Sequence, residues 1–308
     1  MSTRPRADDG AERAPRRGKV TLPELARMKA AGEPIAMVTA YDYPSACVAE
    51  AAGVDIVLVG DSAAMTVLGY DSTVPVSMTE MLVLAAACRR GLRTPLLVGD
   101  LPFGSYERSD EQAVENAHRF VKEAGCDAVK LERGGTSVDR ARAIVRSGVP
   151  VMGHVGLTPQ TASQLGGFKA QGRTAASAAR IAEDALALQE AGCFAIVFEA
   201  IPAAVTELIM PAMEVPVIGI GAGPATDGQV LVFHDLLGVL GGRTPKFVKP
   251  YANVREQMVA GVAAYVREVR TRAFPGPEHT YGIDPEELTA VRQRLAELRE
   301  ERRQRVGV

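Results

Sequence analysis

Seven ionisable residues stand where short apolar runs of the chain end. Asp42 follows IAMVTAY, Asp61 and then Ser62 follow IVLVG, and Asp100 closes LLVG; Lys130 and Glu132 flank the end of AVKLE, His154 ends VMGH, and Glu199 ends AIVFE. A charge at the edge of an apolar core is costly unless something neutralises it. A hard divalent cation would do so. Mg2+ prefers oxygen ligands, keeps several waters and takes few carboxylates, which suits Asp61 and Asp100, with Glu132 directly or through water. Lys130, between Val129 and Leu131, needs a partner such as Glu132, two residues on and on the same strand face. Glu199, after an apolar approach, is a candidate general base.

Blander roles exist for each residue. Asp42 precedes Tyr43-Pro44 and reads as a helix cap, and taken alone Asp61 and Asp100 could also be caps; Gly60 and Gly99 beside them argue otherwise. Lys130 and Glu132 could form a structural pair as well as a catalytic one, and a lone His154 reads as a satisfied core histidine. The stretch Gly219-Ile220-Gly221-Ala222-Gly223-Pro224 lacks both the GKS/T of a phosphate loop and the G-x-G-x-x-G spacing of a dinucleotide fold. It suits close approach of backbone to a ligand. Neither a Cys/His cluster for zinc nor a G-x-S-x-G elbow is present.

The elements that must carry these residues repeat from Ile35 onward as a β-branched apolar run, a polar residue or Gly, then a helical pattern. The runs are 35–40, 56–59, 96–98, 128–131, 151–152, 195–198, 217–220 and 247–248. Unbroken apolar runs suit strands buried on both faces. Helix caps are read at Thr79, at Ser109 with Gln112 as a capping box, and at Thr174. This punctuation predicts a (β/α)8 TIM barrel in preference to an open doubly wound sheet, with the ionisable residues meeting at its C-terminal mouth, where function sits in such barrels. Thr21-Leu22-Pro23-Glu24 starts a helix that would cover the barrel floor.

Three segments are expected: a disordered tail over 1–18, the barrel over 19–281, and a charged helical extension over 282–308. The tail is rich in Arg, Asp, Glu and Pro with little to bury. In the extension, Asp284-Pro285 starts a helix, and Leu288, Val291, Leu295 and Leu298 recur at heptad spacing, a stripe for the protein's own surface or for a subunit contact. A net charge of -2 over 308 residues argues against nucleic acid as partner. The four cysteines are far apart and lie in apolar stretches, which reads as a reducing compartment without disulfides. No apolar run approaches the ~20 residues that span a bilayer, so a cytoplasmic, membrane-free protein is expected.

At these residues the sequence resembles the ketopantoate hydroxymethyltransferase family. The likeness runs from about Val20 to His279 through TAYDYPSA, VGDSAAMTVLGYDSTVPVS, DLPFGSY, GHVGLTPQ, LGGFKAQGR, FEAIP, IGIGAGPATDGQVLVFHD and FPGPEH. It implies a barrel of the phosphoenolpyruvate/pyruvate superfamily, Mg2+, 5,10-methylenetetrahydrofolate as one-carbon donor, a small 2-oxo acid as acceptor and a homodecamer. By position it implies that Asp61 and Asp100 bind the metal, with Glu132 as third carboxylate. Ser62, Lys130 and His154, with Asp61 and Asp100, match the groups that hold the oxo acid, and Glu199 matches the base that removes its C3 proton to give a Mg-stabilised enolate. The family usually reads K-x-E-G-G where this chain reads Lys130-Leu131-Glu132-Arg133-Gly134-Gly135, with an arginine before the glycines that would shift the loop beside the metal, and the extension from Asp284 goes beyond the usual family end. Rival readings are an enolate-forming C–C lyase, although the Lys-Lys-Cys-Gly-His-type loop of such lyases is missing, and a barrel kept only for binding or assembly.

Overall fold

In a computed structural model the chain is described over residues 18–164, 166–242 and 244–307. The expected tail lies, apart from Gly18, outside the described residues, as does Leu165 of the LGGFKAQGR loop. The chain divides into a unit ending at Asn253 and a second unit beginning at Val254.

The first unit runs α1 (Leu22–Ala31), β1 (Ile35–Thr39), α2 (Tyr43–Ala52), β2 (Ile56–Val59), α3 (Ala63–Thr66), α4 (Met78–Gly91), β3 (Leu96–Asp100), α5 (Asp110–Ala124), β4 (Ala128–Lys130) and α6 (Thr136–Arg146). It continues through β5 (Val151–Gly156), α7 (Ala175–Glu190), β6 (Ala195–Glu199), α8 (Ala203–Ile209), β7 (Val217–Ile220), β8 (Gly228–Leu231) and α9 (Phe233–Leu237). The strands pair in parallel and in chain order. Because β1 pairs with both β2 and β8, the sheet closes into the expected (β/α)8 barrel and the open sheet is ruled out.

Local chemistry sets the helix starts. Asp42 caps α2, accepting from the Ser45 amide at 2.7 Å. Ser77, not the expected Thr79, caps α4: its amide donates to Glu80 Oε2 at 2.7 Å while its hydroxyl accepts from the Glu80 amide. Thr79 already lies inside the first turn. Ser109 caps α5 through the Gln112 amide, but Gln112 Oε1 accepts from the Arg108 amide, so that box is only half formed. Thr174 caps α7 as expected.

The two-residue period of the strands sorts the core into two sets. Val57, Val59, Leu97, Val129, Val151, Ile196 and Phe198 belong to the larger cluster, which also takes in buried residues of the surrounding helices. Ile35, Met37, Ile56, Leu58, Leu96, Val98, Ala128, Met152, Ala195, Val197 and Ile218 form a separate inner cluster. Val20, Leu25 and Met28 join that inner set, so α1 does close the barrel floor.

The last strand is not where the apolar runs place it. β8 is Gly228–Leu231, whereas Phe247-Val248 lies in a turn. The reason is the connection over 221–227, which returns from β7 to β8 without a helix. Uncovered, the outward side of β8 stays polar: Gln229 is exposed beside exposed Ala36 of β1. Both line a groove of about 930 Å3 that holds none of the ionisable residues at the strand ends. Only Val230 and Leu231 of the strand belong to the apolar run 230–233, which continues into α9. Phe247 instead lays its ring against Gly221. Asp227 secures the seam, accepting from the Val217 amide and from Lys29 Nζ, both at 2.8 Å, while its carbonyl accepts from the Ile35 amide.

The second unit contains α10 (Val254–Thr271) and α11 (Pro285–Val306). Asp284 caps α11 by accepting from the Glu286 amide at 2.8 Å. Leu288, Val291, Leu295 and Leu298 are exposed along it. Among the described residues, no helix is long and apolar enough to cross a membrane.

Closure of the barrel rests on Gly228, where a Cβ would sit 2.3 Å from the Ile35 carbonyl oxygen. Gly228→Ala is therefore expected to wedge the β8–β1 seam and lower unfolding stability by about 1–3 kcal/mol. Urea titration would read this as an earlier midpoint, and an unchanged midpoint would show that the seam relaxes freely.

Candidate active site

The inner rows of the strands change from apolar to charged at one level. Leu96-Val98 continues to Asp100, Ala128 to Lys130, Met152 to His154, and Ala195-Val197 to Glu199, each step two residues and hence the same face. Register mates are staggered, as the tilt of barrel strands requires: Asp100 pairs with Lys130 across β3 and β4, Lys130 with Met152 across β4 and β5, and His154 with Val197 across β5 and β6. Glu132 follows two residues beyond Lys130, and Asp61 stands just past β2. The mouth of the barrel is where the sequence placed these groups.

Lys130, only 3% exposed, donates from Nζ to Asp100 Oδ1 at 2.7 Å and lies 3.5 Å from Glu132 Oε1. The other oxygen of Asp100 accepts from the Asp61 amide at 3.1 Å. His154, 2% exposed, bridges two acids: Nδ1 lies 3.2 Å from Glu132 Oε1 and Nε2 lies 3.2 Å from Glu199 Oε2. Neither contact has the alignment of a hydrogen bond. Ser62 shares a hydrogen bond with Tyr41 at 2.8 Å between their oxygens. Asp42, the cap of α2, takes no part in this cluster. Gly60 keeps the approach clear, since a Cβ there would meet Ser62 Oγ at 2.9 Å and come within 3.8 Å of Asp100 Oδ2.

The electrostatics follow from burial. Loss of water, followed by the charges of Asp100 and Glu132, pushes the Asp61 carboxyl well above the usual range. Burial also raises Asp100, with Glu132 adding to the shift and Lys130 opposing it. Glu132 goes the other way: burial would raise it, but Lys130 and His154 together hold it below its ordinary value. Burial opposes the charge on Lys130, yet Asp100, Glu132 and Asp61 outweigh it and raise its pKa. Burial and Lys130 lower His154, but contact with Glu132 and Glu199 carries it up to about 9, which favours the imidazolium form between the two acids.

Two residues that the sequence reading passed over complete the cluster. Gln160, on the 3-10 turn Pro159–Thr161, donates from Nε2 to Asp61 Oδ2 at 3.0 Å and to the Leu101 carbonyl at 2.9 Å, while its amide donates to Glu132 Oε2 at 3.1 Å. Tyr106 donates its hydroxyl proton to Gln160 Oε1 at 2.6 Å. The signal open to sequence reading was their place in DLPFGSY and GHVGLTPQ. Conversely, the glycines at 219, 221 and 223 are packed against Thr226, Phe247 and Ala203, so the space they leave is taken by the protein's own side chains.

Among the described residues, no three acidic, histidine or cysteine side chains close into a ready-made metal cage. The donor set nevertheless suits a magnesium ion, which takes one or two carboxylates and fills its octahedron with water and substrate oxygens. Asp61 Oδ1 accepts no hydrogen bond among the described residues and is available as a ligand, beside the carboxylate of Asp100.

Lys130 is the cation on which the neighbouring acids depend. Its replacement in Lys130→Met leaves them buried without it and is expected to cost about 3–5 kcal/mol at neutral pH. Acids whose folded pKa is raised destabilise the fold as pH climbs above their unfolded value near 4, so the deficit should shrink toward pH 5. Thermal melts of both proteins at pH 5 and pH 7.5 check this; a deficit that is equal at the two values would mean that Lys130 does not govern those protons.

The family model for ketopantoate hydroxymethyltransferase matches residues 19–277. The chain is 57% identical over 265 residues to 3-methyl-2-oxobutanoate hydroxymethyltransferase of Moorella thermoacetica, covering 86% of this chain and 98% of that protein. It is 52% identical over 287 residues to the Arabidopsis thaliana protein named 3-methyl-2-oxobutanoate hydroxymethyltransferase 1, mitochondrial, covering 91% and 83%. In fold it is similar to a phosphonopyruvate hydrolase solved with oxalate and Mg++, with a TM-score of 0.55 at 13% identity over 92% of this chain and 96% of that one. It is likewise similar to 2,3-dimethylmalate lyase, described as a PEP mutase/isocitrate lyase superfamily member, with a TM-score of 0.51 at 15% identity over 92% and 98%. With a family model spanning most of its length and close relatives matched nearly end to end, the chain belongs to the ketopantoate hydroxymethyltransferase family.

Proposed function

We propose that the protein transfers a hydroxymethyl group from 5,10-methylenetetrahydrofolate to 3-methyl-2-oxobutanoate, giving 2-dehydropantoate and tetrahydrofolate, with one water supplying the hydroxyl oxygen. The observation that carries this reading is the joining of Asp61, Asp100, Lys130, Glu132, His154 and Glu199 at one barrel mouth in a chain of this family. Asp61 and Asp100 would hold Mg2+, with Glu132 beside them. Such an ion, when bound, supplies Lewis-acid polarisation of the 2-oxo group and makes the C3 hydrogen more acidic.

The chain's own groups perform the remaining work. Glu199, at the end of β6 and only partly buried, is placed at the edge of the cluster and takes the C3 proton. The ammonium of Lys130 and the imidazolium of His154 offset the negative charge that develops on the oxo acid, an effect strengthened where water is scarce. Ser62 is held by Tyr41 and contributes a hydroxyl to substrate binding. The enolate's C3 bonds the methylene carbon as one of its two C–N bonds breaks, and water then replaces the remaining nitrogen, giving the hydroxymethyl group and tetrahydrofolate.

A homo-oligomer, decameric by family likeness, is part of the same reading; exposed Met258, Val259, Val262 and Tyr265 on α10 support a subunit contact. A cytoplasmic setting fits four free cysteines, three of them buried.

Deuterium exchange at C3 of 3-methyl-2-oxobutanoate, followed by NMR, tests the chemistry. Exchange is expected only with Mg2+, and 2-dehydropantoate only once methylenetetrahydrofolate is added. Exchange without product would point to another electrophile. Glu199→Gln should abolish exchange while metal and oxo acid still bind, and near-normal exchange would remove Glu199 as the base. Asp100→Ala should weaken Mg2+ and oxo acid together, and unchanged Mg2+ affinity would take Asp100 out of the ion's ligands.

A further inference from the structure

We infer that Tyr106 and Gln160 are positioning residues that fix the orientation of the Asp61 carboxylate and leave its Oδ1 facing the divalent-cation site. This rests on the reading of Asp61 as a metal ligand.

The argument is one of hydrogen-bond polarity. The Glu132 amide donates to the Tyr106 oxygen at 3.3 Å, so the tyrosine must send its own proton onward, and it does so to Gln160 Oε1. With its carbonyl end thus assigned, the glutamine can only aim its NH2 group the other way. Both protons of that group find acceptors, Asp61 Oδ2 and the Leu101 carbonyl. A flipped amide would set its carbonyl against two acceptors and its NH2 against a donor, so a single arrangement survives. One oxygen of Asp61 is thus bonded, while the other accepts no hydrogen bond among the described residues.

Gln160 reaches two carboxylates of the cluster, Asp61 by its side chain and Glu132 by its amide, and grips Leu101, the residue next to Asp100. Tyr106 and Gln160 are 1% and 4% exposed, so water does not compete for these bonds. A buried carboxylate with one bonded and one open oxygen is a prearranged ligand; without the glutamine, Asp61 can rotate and must be ordered when the ion binds.

Groups that orient metal ligands typically carry 10–100-fold of the affinity. Mn2+ serves as the probe, its binding to the otherwise unliganded full-length protein read by electron paramagnetic resonance, with thermal melts as the check on folding. Tyr106→Phe and Gln160→Leu are each expected to weaken Mn2+ by about 10–100-fold with little change in melting temperature for Tyr106→Phe, and the double variant should be no weaker than Gln160→Leu, because the residues act as one chain. If Gln160→Leu does not fold, Tyr106→Phe alone decides. Unaltered Mn2+ affinity in folded variants, with Asp100→Ala losing it, would overturn the positioning role and leave the metal reading standing. Failure of the unaltered protein to bind Mn2+ would overturn both.

Discussion

The arrangement of this protein depends on one constraint: an ammonium group and several carboxylates have been taken out of water at the end of an apolar barrel. Lys130 lies 2.7 Å from Asp100 and 3.5 Å from Glu132, with all three nearly inaccessible to solvent. Such groups are tolerated only when each is paired and hydrogen-bonded, since desolvation of a single ion costs several kcal/mol. The backbone amides of Asp61 and Gln160 and the side chain of Gln160 meet that requirement for Asp100, Glu132 and Asp61. The site is thus built of polar groups that mutually justify their burial, and removing one disturbs the protonation of the others.

Barrel geometry supplies the placement at no extra cost. Side chains alternate along a strand, so the row that fills the interior reaches the mouth with its next residue. Val98 leads to Asp100, and Val197 to Glu199, by the same two-residue step that packs the core. With α1 closing the floor, the charged level lies at the opposite end of the apolar interior.

This alternation also explains what could be read in advance. Strands β2 to β6 are buried almost throughout and appear in the sequence as apolar runs, and the charged residue near the end of each run is conspicuous. β8 lacks the covering helix and begins Gly228-Gln229, so only Val230 and Leu231 of it belong to the apolar run 230–233, which the reading of the strands passed over. Gln160 and Tyr106 were illegible for a different reason. A neutral amide after a proline, or a tyrosine in a Gly-Ser loop, has no local feature that distinguishes a buried hydrogen-bonding role from a solvated one. Only the closure of loops after β3 and β5 onto each other gives them meaning.

Backbone strain gathers at the same level. Arg133 and Ala200 adopt φ of 74° and 50°, in the left-handed region that disfavours residues with a Cβ. Each comes one residue after a carboxylate of the cluster, Glu132 and Glu199. Their amides still continue the sheet's bonding, Arg133 to the His154 carbonyl at 2.9 Å and Ala200 to the Ile220 carbonyl at 2.8 Å, before the chain turns away. The carboxylate is thereby held as though inside a strand although the strand has ended. At 133 an arginine occupies the turn at a cost on the order of 1–2 kcal/mol. Strain kept beside two acids of the site, and met by ladder hydrogen bonds on their far side, is what fixes those acids against the histidine between them.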